Sequence, residues 1–134
     1  PVRIGAKAKI ENSLLSNGCV IEGSVINCVI SPGVFIGKNS VIKNSVIMND
    51  TIISEDVQID RAIIDKKVKI GVGVIIGQGN DYQANKERPD VLASGINVIE
   101  RNTTIPEHIT ITRNCRISQN AVFKTKRIKP GSSL

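Results

Sequence analysis

Ile36–Ile76 reads IGKNSVIKNSVIMNDTIISEDVQIDRAIIDKKVKIGVGVII, and the spacing inside it decides the fold. Isoleucine recurs at Ile36, Ile42, Ile47, Ile53, Ile59, Ile64, Ile70 and Ile76, in steps of six with an occasional five. Two places ahead of each stands a small or β-branched residue: Val34, Ser40, Ser45, Thr51, Val57, Ala62, Val68 and Val74. An amphipathic helix would repeat near 3.6 and a half-buried strand would alternate every second residue, so neither fits. Six-residue units do fit: each is one short strand plus a corner, and three units close a triangular coil. The large aliphatic then points inward and stacks on its equivalents in the coils above and below. The small residue fits where the backbone turns.

The pattern runs outward in both directions. Upstream, Ile4, Ile10, Leu15, Ile21, Ile26 and Ile30 keep the register, with Ala8, Ser13, Cys19, Ser24 and Cys28 in the small slots. Downstream, Ile99, Ile105, Ile111, Ile117 and Phe123 step by sixes. The shortened coil from Ile21 to Ile36 predicts a tight corner near Asn27 or Ser31-Pro32-Gly33. The expected fold is all-β: a left-handed parallel β-helix, a known exception to right-handed parallel crossovers. It divides into coils over 1–76, an inserted loop over 77–95 (irregular from 78), final coils over 96–123 and a basic tail over 124–134. Asn12, Asn17, Asn39, Asn44, Asn102 and Asn114 fall at corners, where asparagine tolerates left-handed backbone angles.

A formal net charge of +6 suggests an anionic partner. Nucleic acid is a poor fit, because Phe35, Tyr82 and Phe123 are the only aromatics and make no stacking platform. No apolar run reaches the length of a membrane span. Cys19, Cys28 and Cys115 lack metal-ligand spacing and sit in the small inward slots, which marks them as buried hydrophobes. Reduced thiols fit a cytoplasmic location. The repeat begins by Ile4 with nothing before it to cap a solenoid, so the chain is expected to be a fragment whose missing part lies upstream.

Loops inserted in solenoids sit on one face and often carry binding. Lys86 and Arg88 are candidates there for an anion or a neighbouring domain, and the plainer alternative packs Tyr82 and Leu92 on the coils. The tail offers Lys124, Lys126 and Arg127, which with Arg113 and Arg116 are the candidate effector or anion contacts, by the chemistry of Lys/Arg phosphate clamps. His108 is the single histidine and is expected on a solvent-facing corner. No catalytic residue, metal ligand or cofactor-binding residue is assigned, since no phosphate loop, ligand cluster or nucleophile motif occurs.

Two families use such hexads. Hexapeptide acyltransferases are trimers that hold acyl-CoA between coils and use a loop histidine, a role only His108 is available for. The other family is the sugar-nucleotide pyrophosphorylases. The KNSVIM run at Lys43–Met48 resembles bacterial ADP-glucose pyrophosphorylase (glucose-1-phosphate adenylyltransferase), as do Ile10–Gly23, Asn27–Val34, the AIIDKKVKIG run Ala62–Gly71 and Ser94-Gly95-Ile96. The resemblance covers residues 1 to about 117. It implies a nucleotidyltransferase joining ATP and glucose 1-phosphate, with Mg, in an N-terminal domain outside this chain. It implies for this chain a non-catalytic part in glycogen biosynthesis: packing on the catalytic domain, a homotetramer, and an allosteric site for a phosphorylated sugar effector.

Overall fold

The computed structural model describes residues 1–134, from Pro1 to Leu134, and contains no helix. Nineteen short strands wind into about seven coils of a parallel β-solenoid. Face one stacks Arg3–Ile4, Val20–Ile21, Phe35–Ile36, Ile52–Ile53, Lys69–Ile70 and Thr104–Ile105. Face two stacks Lys9–Glu11, Ser24–Ile26, Val41–Lys43, Gln58–Asp60, Ile75–Ile76, Thr110–Ile111 and Arg127–Ile128. Face three stacks Leu14–Leu15, Val29–Ile30, Val46–Ile47, Ala62–Ile64, Asn97–Ile99 and Arg116–Ile117. Every pairing is parallel and joins strands one coil apart, as a β-helix requires.

The predicted aliphatic columns form. Ile4, Ile21, Ile36, Ile53, Ile70 and Ile105 lie in register on face one. Ile36 and Ile53 are wholly buried and Ile70 is 1% exposed. The small slots explain why serine and threonine recur inside an apolar prism. Ser40 Oγ accepts from Val57 N–H at 3.1 Å and donates to Ser54 O at 2.7 Å. Thr51 Oγ1 makes the same bridge two corners on, to Val68 N–H and Asp65 O, while Ser45 Oγ accepts from Ala62 N–H and donates to Lys43 O in its own coil. Each hydroxyl thus satisfies a corner amide that the strand ladder leaves unpaired, and no buried side-chain polar atom lacks a partner.

Corners turn through left-handed residues. Asn12, Asn27, Asn39, Asn44, Asn102 and Asn114 all have positive φ, whereas Asn17 leaves that conformation to Gly18. Stacking also restricts side chains where coils touch: a Cβ at Gly71 would lie 2.8 Å from Glu107 N.

Three details differ from the sequence expectation. The inward residue of the second coil on face two is Val25, wholly buried and paired with Ile10 and Ile42. Ile26 instead pairs with Glu11 and Lys43 and is only half-buried. The cause is the location of the short corner, which lies between Ile21 and Val25 and not at Asn27 or Ser31-Pro32-Gly33. Phe123 does not fill a strand position; it is half-buried against the core, and Ile128 (5% exposed) is the aliphatic that continues a column. Residues 124–134 are folded onto the solenoid, since Arg127–Ile128 adds to face two and Ser133 bridges to Arg116 on face three.

Candidate functional site

The inserted loop leaves between faces two and three, and its root is the most elaborated polar cluster of the chain. Along that corner side-chain amides form a ladder: Asn12 Nδ2 donates to Asn27 Oδ1 (2.7 Å), Asn27 to Asn44 (3.2 Å) and Asn44 to Asp60 Oδ1 (3.0 Å). In the next coil the chain departs at Gly77, so no asparagine is available to continue. Arg113 reaches across the gap and places Nη1 3.0 Å from Asp60 Oδ2, with its side chain 8% exposed. Its Nε donates to Gly79 O at 2.9 Å, and Tyr82 lies over the guanidinium at 5.3 Å. Arg61 takes another side of the same ring, 5.9 Å from its centroid, and donates to its hydroxyl at 3.0 Å. Gly77 has φ +91, and a Cβ there would lie 2.2 Å from Asp60 O, so only glycine lets the chain leave at this point.

Farther along, the loop folds back on the last coils. Asn85 is wholly buried; its Nδ2 faces Asn114 O (3.0 Å), Ser132 O (3.3 Å) and Ser133 Oγ (3.1 Å). Asn114 returns the contact by donating to Tyr82 O and Gln83 O. Leu92 is 8% exposed, so the plainer expectation for Tyr82 and Leu92 holds, while Lys86 and Arg88 stay exposed.

The five candidate cations do not form one cluster. Arg113 is buried, and its charge is committed to Asp60. Arg116 lies on face three, with Nε 2.7 Å from Glu100 Oε2 and Glu87 at 4.0 Å. Lys124, Lys126 and Arg127 are exposed at the last coil and form no ion pair. Lys126 Nζ approaches Glu107 O at 3.3 Å, and Arg127 donates to Gln78 at the loop root. These three leave cationic donors available to an anion; Arg113 shapes the loop beside them. Asp60, Tyr82 and Asn85 carry this arrangement; of the three the sequence marks only Tyr82, as a residue packed on the coils. The one available signal was the asparagine column 12, 27, 44, which breaks at Arg61 just before the insertion.

A family profile described as "GlmU-like, C-terminal hexapeptide" matches residues 3–99. The chain belongs to that family. It is 42% identical over 134 residues to a glucose-1-phosphate adenylyltransferase of Pseudothermotoga lettingae, covering 98% of this chain and 32% of the relative. It is 43% identical over 96 residues to the glycogen biosynthesis protein GlgD of Bacillus subtilis, covering 72% of this chain and 26% of that protein. The chain thus spans about a third or less of the curated relatives it matches. In fold it is similar to the acetyltransferase domain of PglB from Neisseria gonorrhoeae, with a TM-score of 0.53 and 16% identity over 99% of this chain and 53% of that one.

Two further properties of this hexapeptide domain bear on function. On face three Leu14, Val29, Val46, Ile63 and Val98 point outward in register, a row about 19 Å long at the spacing of adjacent strands. Leu14 is 71% exposed, Val29 44% and Ile63 38%. Val20, Phe35 and Ile52 form a shorter row on face one. Between Asn12 and Gly37 the only charged residue is Glu22, so this stretch, with Leu14 and Val29 on face three, presents a nearly uncharged surface. The cysteines, by contrast, are interior and free. Burial pushes the Cys28 and Cys115 thiols above the ordinary value of 9.0, keeping them protonated and unreactive.

Proposed function

We propose that this chain is the regulatory and oligomerisation domain of a glucose-1-phosphate adenylyltransferase. The reaction, ATP plus glucose 1-phosphate to ADP-glucose and pyrophosphate, belongs to a part of the protein outside this chain, which also holds ATP and Mg. The observation carrying the reading is the 42% identity that runs across 98% of the chain to an adenylyltransferase three times its length. The uncharged apolar rows support the packing half of the reading, because exposed aliphatics in register are a surface built to be covered. The unpaired Lys124, Lys126 and Arg127 support the regulatory half. A phosphorylated sugar held there would touch the loop root through Arg127 and Gln78, and would bias how the domain packs against the catalytic part; effector and substrate then alter each other's binding reciprocally.

The test uses the full-length protein. It should form ADP-glucose from ATP and glucose 1-phosphate, and Lys126→Ala/Arg127→Ala should remove at least one sugar phosphate's activation while basal rate persists. Unchanged activation by every sugar phosphate would reject the tail as the effector site. Acetyl transfer from acetyl-CoA in place of nucleotidyl transfer would reject the whole reading.

A further inference from the structure

Regular corners between faces one and two are bridged in one way. Asp56 N–H donates to Lys38 O (3.0 Å), Gly73 N–H to Glu55 O (3.2 Å) and His108 N–H to Val72 O (2.9 Å). Coil two breaks this series. Its corner takes four residues from Ile21 to Val25, where coils one and three take six, from Ile4 to Ile10 and Ile36 to Ile42. The residue that would sit between its neighbours is therefore missing. Asn39 N–H in coil three has no carbonyl to meet, and the Ala6 carbonyl in coil one receives no donor. The gap is a groove of about 560 Å³, within the ~300–1,000 Å³ range of small-molecule sites. Its floor is bare backbone at Gly23, where a Cβ would lie 2.5 Å from Ser40 O. Lys7, Lys38 and Glu22 line it, and none of them takes part in an ion pair.

We propose that this notch binds a small hydroxylated oxyanion, a phosphate or carboxylate that also carries hydroxyl groups. Two ammonium groups and the Asn39 N–H supply charge-assisted donors to the anion. The Ala6 carbonyl and the Glu22 carboxylate accept from hydroxyls, and Glu22 disfavours an anion that brings none. The groove borders face one beside the Val20, Phe35 and Ile52 row. Any effect on activity rests on the regulatory reading above; the binding itself does not.

Amide NMR of this chain during titration with glycerol 3-phosphate, inorganic phosphate and lactate tests the site. The Asn39 amide should shift saturably with glycerol 3-phosphate or lactate, and which of the two binds assigns the phosphate or the carboxylate. Lys7→Ala/Lys38→Ala should weaken binding by about tenfold or more, while Lys124→Ala/Lys126→Ala leaves it intact. Inserting Asn-Gly between Glu22 and Gly23, which restores the regular corner, should erase the shift without lowering the melting temperature. An Asn39 amide unmoved by all three probes at tens of millimolar overturns the proposal, as does equal binding in the Lys7/Lys38 variant or in a folded insertion variant. Binding at the notch together with unregulated catalysis would leave this site standing and sink only the regulatory reading.

Discussion

Arg113 shows how one side chain can repair an interruption in a periodic structure. It sits in the corner position before Asn114, and in an unbroken solenoid it would face solvent; here the absent rung at Gly77 gives it Asp60 as a partner. A buried guanidinium that loses its carboxylate, or the reverse, leaves a charge with poor solvation, at about 3–5 kcal/mol for a fully enclosed pair. Asp60 keeps 30% side-chain exposure, which lowers the expected cost of Arg113→Ala to about 2–3 kcal/mol. Arg116→Ala should cost well under about 1 kcal/mol, because Arg116 and Glu100 meet in contact with water. Urea denaturation of the two variants checks the contrast, and equal losses would show that the Asp60 pair contributes little beyond a surface contact.

At the level of the element, the inserted loop has no regular structure, yet it is anchored to the last coils at defined points. Asn85 does most of this, donating to two carbonyls and a hydroxyl and accepting from Glu87 N–H (3.0 Å) and Arg88 N–H (2.9 Å). Asn85→Ala should free the loop locally, by about 2–3 kcal/mol, while the coils remain folded. Trypsin cleavage after Lys86 should therefore accelerate at an unchanged melting profile for the bulk of the domain; cleavage no faster than in the parent would mean that Leu92 and Tyr82 hold the loop without Asn85. The same contrast explains what could be read in the sequence. Ile36, Ile53 and Ile70 were legible because each coil repeats the same steric problem, so the solution repeats as well. Val25 was not, since a serine-flanked Val25-Ile26 pair satisfies the inward slot in either register, and only the stacking of Ile10 and Ile42 decides between them. Asn85 follows no period at all: its partners lie 29 and 47 positions away, and nothing local announces them.

A solenoid that spends its interior on identical aliphatics has three outer faces to differentiate, and this one divides them along its length. Net positive charge is concentrated beyond the loop, where Arg101, Arg113, Arg116, Lys124, Lys126, Arg127 and Lys129 outnumber Glu100 and Glu107, while the stretch from Asn12 to Gly37 carries Glu22 alone. An aliphatic row on a strand face gains nothing from the fold of its own coil, because its side chains point away from the prism. Covering the row removes apolar surface from water at about 25 cal/mol per Å², and charge depletion is what distinguishes the core of an interface from ordinary surface. Leu14→Glu/Val29→Glu should then leave the melting temperature of this chain within a few degrees of the parent, yet disrupt assembly of the full-length protein. Sedimentation velocity should show the variant shifted to smaller species, or a hydrodynamic radius enlarged by domains that no longer pack. A variant that assembles and sediments like its parent would mean that face three is open surface, and that the partner is held at face one or at the first coil, where Ile4 is 54% exposed.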